Sequence, residues 1–117
     1  MRIDQRVEQA TGQVTIVSIH GRMTRNEGYG MVKERMSELL AAGRRQFVLD
    51  LRDVPYMDSS CVGELVSAFL STRSHGGTLK FGGISDRIQR MLTVAKLDTV
   101  FQIFETAEAA VSSFSDA

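Results

Sequence analysis

Gln46-Phe47-Val48-Leu49-Asp50-Leu51 is the stretch that most constrains the fold. Phe47, Val48, Leu49 and Leu51 leave no polar face, and the run is too short for an ordinary helix. It reads as a central strand buried on both sides, which requires helices above and below a sheet.

The flanking segments supply those partners. Residues 2–8 alternate around Ile3 and Val7, a turn is expected over 9–12, and 14–19 is β-branched, so the chain opens on a possible hairpin. Tyr29, Val32, Met36, Leu39 and Leu40 recur at helical spacing and predict a helix over 27–42, closed by Gly43. A second helix is expected over 60–73, with Val62, Leu65, Val66, Phe69 and Leu70 inward, and Gly76-Gly77 stops it. A strand over 78–81 and a helix from the Ser85-Asp86 cap to about 96 follow. Ile88, Met91, Leu92 and Ala95 are its expected inward face. The last elements are a strand over 100–104 and a helix capped by Thr106, with Ala107, Ala110, Val111 and Phe114 inward. After the hairpin, strand and helix alternate, so the fold class is α/β with a largely parallel sheet. About five strands and about four helices are expected in one domain over 1–117.

Charge narrows the function. Lys and Arg number 14 and Asp and Glu number 14, so no global bias toward nucleic acid or anionic membranes is present. The one cysteine, Cys61, allows no intrachain disulfide and no cysteine zinc site. The N-terminal residues lack the apolar run of a signal peptide, and no apolar stretch approaches the roughly 20 residues that span a bilayer. A cytoplasmic protein is expected.

Asp58-Ser59-Ser60-Cys61-Val62-Gly63 lies where the central strand gives way to the second helix. Asp and Ser are ordinary N-cap residues. A helix N-terminus also presents unpaired N–H groups and partial positive charge, so it tolerates a phosphate, including one carried on a serine. Pro55, the only proline, stiffens the approach to Ser59. Tyr56 and Met57 belong either to the core or to a contact surface beside Ser59.

Other chemistries fit less well. A nucleophilic serine needs a base, and His20 and His75 end a strand and a helix far from Ser59 and Ser60 in the segment order. The Gly-x-Ser-x-Gly pattern is absent. Asp50, Asp53 and Asp58 are a weak magnesium signal, and no metal or cofactor is assigned. Gly82-Gly83 reads as a tight turn and matches no phosphate-loop pattern. Cys61 reads as a small apolar filler in preference to a redox thiol.

From Val48 through Ser60, then Val62-Gly63, Gly76-Gly77-Thr78-Leu79-Lys80, Ile84-Ser85-Asp86-Arg87-Ile88 and Leu97, the chain resembles the STAS domain family. The likeness is to its stand-alone bacterial anti-sigma factor antagonists. It implies a non-enzymatic protein that binds an anti-sigma factor, often a serine kinase of the histidine-kinase-like ATPase type, and so releases a sigma factor. It further implies phosphorylation of Ser59, with Ser60 as secondary acceptor, and reversal by a metal-dependent serine phosphatase. Tyr56, Met57, Asp58, Ser59, Ser60, Cys61, Met23 and Thr24 would form the partner surface. Cys61 stands where the family usually carries glycine, and Gly21-Arg22-Met23-Thr24 lacks two acids usual at that strand end. The alternatives are a constitutive STAS scaffold in a signalling or transport complex, and a small-ligand or nucleotide-binding STAS domain.

Overall fold

In a computed structural model of the chain, which describes residues 1–8 and 13–115, the central strand is β3 (Gln46–Asp53). The other strands are β1 (Arg2–Glu8), β2 (Val14–His20), β4 (Thr78–Gly82) and β5 (Gln102–Phe104), in the spatial order β1-β2-β3-β4-β5. β1 and β2 are antiparallel, and β2 through β5 run parallel. The turn expected over 9–12 lies outside the described residues.

The pleat divides the apolar residues between two cores. Phe47, Leu49 and Leu51 join Val17, Ile19, Leu79 and Phe81 on one face. Three helices cover that face: α1 (Met31–Ala41), α2 (Ser59–Ser74) and α3 (Asp86–Val94). Val48 turns to the other face with Val14 and Ile16, under α4 (Ala107–Ser112). The central strand is therefore buried on both sides, as its composition requires.

Several boundaries differ from the sequence reading. α1 begins at Met31 and not Glu27, because Gly28 and Gly30 hold left-handed backbone at φ 73° and 91°. Tyr29 consequently leaves the buried face and is exposed. Leu70 also points outward. α3 stops at Val94, short of Lys96, which has φ 60°; Ala95 is exposed and Met91 half-buried. Val100 precedes β5 in a turn whose N–H donates to the Leu97 carbonyl. Gly82 is a close-approach glycine: a Cβ there would lie 2.6 Å from the Ala107 nitrogen, so β4 and the start of α4 touch through it.

Candidate functional site

The site is assembled at the carboxyl end of β3. Asp58 caps α2 in extended backbone, and its Oδ1 accepts the Cys61 N–H at 3.1 Å. Its Oδ2 accepts the Arg25 N–H at 2.8 Å. The two bonds tie the segment after β2 to the start of α2. Backbone pairs extend the tie: the Met23 N–H donates to the Tyr56 carbonyl at 3.0 Å, and the Asp58 N–H to the Met23 carbonyl at 3.0 Å. The Arg25 N–H, more than any other contact, holds the Asp58 carboxyl below the ordinary carboxylate range.

Ser59 is the first residue of α2 and is exposed. Its hydroxyl makes no hydrogen bond among the described residues. Ser60, next in the helix, is half-buried. Beneath them the expected contact surface needs correction. Met23, Met57 and Cys61 are each 1% exposed and belong to the main core. The pairing of Met23 with Met57 turns both side chains inward, so these three shape the surface from below and cannot touch a partner. Burial, the main cause, and the nearby Asp58 push the Cys61 thiol up to about 12, as befits an apolar filler.

Tyr56 remains partly exposed. Arg22 and Arg87 lie over its ring at 4.7 and 4.8 Å from the centroid. Thr24 is half-buried and donates its hydroxyl to Glu27 at 3.2 Å. The surface around Ser59 thus carries arginines that sequence reasoning passed over. Beside Ser59, an open groove of about 590 Å³ runs between α2 and α3. Val62, Met91, Val94 and Ala95 line it together with Ser59, Arg87 and Arg90. Val94 is 84% exposed. The available signal was the three-residue spacing of Arg87 and Arg90, which places both on one side of a helix.

Neither histidine reaches the serines. His20 Nδ1 lies 2.7 Å from Asp53 Oδ2, and its Nε2 faces Asp4 Oδ2 at 3.0 Å, so the ring spans β1 to β3. His75 Nδ1 contacts the Ser71 carbonyl at 2.8 Å at the far end of α2. Asp50, Asp53 and Asp58 do not converge: Asp50 accepts the Arg52 N–H, Asp53 meets His20, and Asp58 caps. Among the described residues, no helix is long and apolar enough to cross a membrane.

The family model described as STAS domain matches residues 9–110. The anti-sigma-B factor antagonist of Bacillus subtilis (strain 168) is 34% identical over 61 residues, 52% of this chain and 56% of that protein. The chain thus spans little more than half the length of that relative. The solved structure of a Thermotoga maritima protein superposes with a TM-score of 0.85 at 22% identity, covering 96% of this chain and 93% of that one. The Bacillus cell fate determinant SpoIIAA, solved in its phosphorylated form, superposes at 0.68 with 14% identity over 94% of this chain and 99% of its own. At those identities the two structures speak to the fold.

Proposed function

The chain belongs to the STAS domain family, and on that premise we propose that it is an anti-sigma factor antagonist switched by phosphorylation of Ser59. The carrying observation is the exposed, unbonded Ser59 hydroxyl directly after a locked capping aspartate. The similarity to the Bacillus subtilis antagonist supports the same reading. The partner in this proposal is an anti-sigma factor that is itself a serine kinase of the histidine-kinase-like ATPase type. The protein acts in the cytoplasm and catalyses nothing itself.

In the switching step, the Ser59 oxygen attacks the terminal phosphorus of ATP. A new O–P bond forms, the bond to the departing ADP breaks, and the hydroxyl proton passes to a base on the kinase. A serine phosphatase returns the hydroxyl by hydrolysis. The added group carries about −1.5 to −2 charges. The start of α2 accommodates them, since helix N-termini favour anions. The core is untouched, because Ser59 lies outside it. A docked partner must desolvate that charge, so binding weakens while the fold persists. Ser60, half-buried one position on, is the secondary acceptor.

Incubation with the cognate kinase and ATP, followed by peptide mass spectrometry, tests this. Phosphate on Ser59 that disappears in Ser59→Ala is expected, together with weaker binding of Ser59→Asp to the anti-sigma factor. Phosphate found only at other positions overturns the assignment.

A further inference from the structure

We propose that Arg87 and Arg90 form a clamp that captures phosphorylated Ser59 in cis and draws α3's cationic edge across the groove. The inference rests on the Ser59 reading above and adds how the phosphate acts. Ser59, Arg87 and Arg90 line one groove with four apolar residues and no acid. Both arginines are exposed, and Arg90 makes no ion pair among the described residues. Arg87 rests on the Tyr56 ring, whose other visitor is Arg22. A cation–π contact at such a half-exposed ring is weaker than a charge-assisted guanidinium–phosphate pair, so the phosphate wins Arg87 from Tyr56.

The chemistry matches the geometry. Guanidinium presents forked donors suited to phosphate oxygens, and two of them balance a dianion. Val62, Met91, Val94 and Ala95 supply the apolar part of the groove lining and offer no carboxylate to compete for the arginines. Asp58 is the acid nearest the acceptor in sequence, but its two carboxylate oxygens are engaged by the N–H groups of Cys61 and Arg25. Once the clamp closes, two cations and the apolar floor are withdrawn together from any partner that used them. Phosphorylation then acts by covering a surface as well as by repulsion.

The test installs phosphoserine at position 59 of the full chain by genetic code expansion, so it needs no kinase. The phosphorus-31 resonance is followed against pH. The phosphoserine dianion takes up one proton near pH 6. The expected midpoint lies clearly below that value, and Arg87→Gln with Arg90→Gln moves it back up toward about 6. Arg87→Lys with Arg90→Lys restores part of the fall. A midpoint near 6 in the parent, or a lowered midpoint that the glutamine variant leaves unchanged, overturns the clamp; the latter assigns the effect to the helix end alone. Failure of a kinase to modify Ser59 overturns the acceptor assignment and leaves this titration intact, so the two failures are told apart.

Discussion

The Glu64 carboxylate on α2 accepts the backbone N–H of Lys33 in the first turn of α1 at 3.0 Å. Gly30, the residue at the N-cap of α1, has no side chain to offer. The second helix therefore supplies the cap of the first, from 31 residues away. Glu64 is 4% exposed and follows Ser59 on the same helix, so α2 carries both the site serine and the contact that caps α1.

Glu64→Ala leaves the Lys33 N–H without its acceptor in a partly buried setting. A loss of about 2 kcal/mol is expected, measured by urea denaturation. Glu64→Gln keeps an acceptor oxygen and is expected to retain most of the stability. Equal losses in both variants would show that the carboxylate charge, and not the hydrogen bond, carries the contribution.

Met57 lies beneath the site as a core side chain, so its truncation is felt as a cavity. Met57→Ala is expected to cost about 3 kcal/mol of folding stability, read as a lowered denaturation midpoint. Tyr56→Ala, at a half-exposed position between two arginines, is expected to cost less than about 1 kcal/mol. A reversed order would place Met57 on the surface.

The cap at Asp58 makes stability acid-sensitive in a defined direction. Its folded-state pKa lies below the ordinary 3.8, chiefly through the Arg25 N–H. The ionised cap is therefore fully stabilising above the unfolded value and loses that contribution as pH falls through the folded one. The stability difference between the wild type and Asp58→Asn should be constant from about pH 8 to 5 and shrink below about pH 4. A difference that grows on acidification would invert the assignment.

Cys61 is predicted to be an inert thiol. With its pKa near 12 and its side chain buried, little thiolate forms at pH 8. Reaction with a disulfide reagent should be at least roughly a hundredfold slower in the native protein than in denaturant, where the thiol returns to about 8.5. Fast native labelling would point to a reactive thiol instead.

The residues themselves announced the central strand of the sheet, the caps at Asp58, Ser85 and Thr106, and the apolar spacing of most helices. Each of these depends on neighbours within a turn or a strand repeat, so local chemistry suffices to read them. The start of α1 was harder. The apolar period runs through Tyr29, and only the left-handed backbone at Gly28 and Gly30 shows that the helix begins later.

The amino-acid order by itself determined the element sequence, the two-sided burial of β3 and the position of Ser59 at a helix start. Which side chains surround Ser59 was decided by tertiary structure alone. Adjacent residues Tyr56 and Met57 are both apolar, yet pairing with Met23 sends Met57 inward and leaves Tyr56 between Arg22 and Arg87. The bridges from Glu64 to Lys33 and from His20 to Asp53 join residues 31 and 33 apart. No local pattern encodes such contacts, because they exist only once separate segments pack against each other and exclude water from between them.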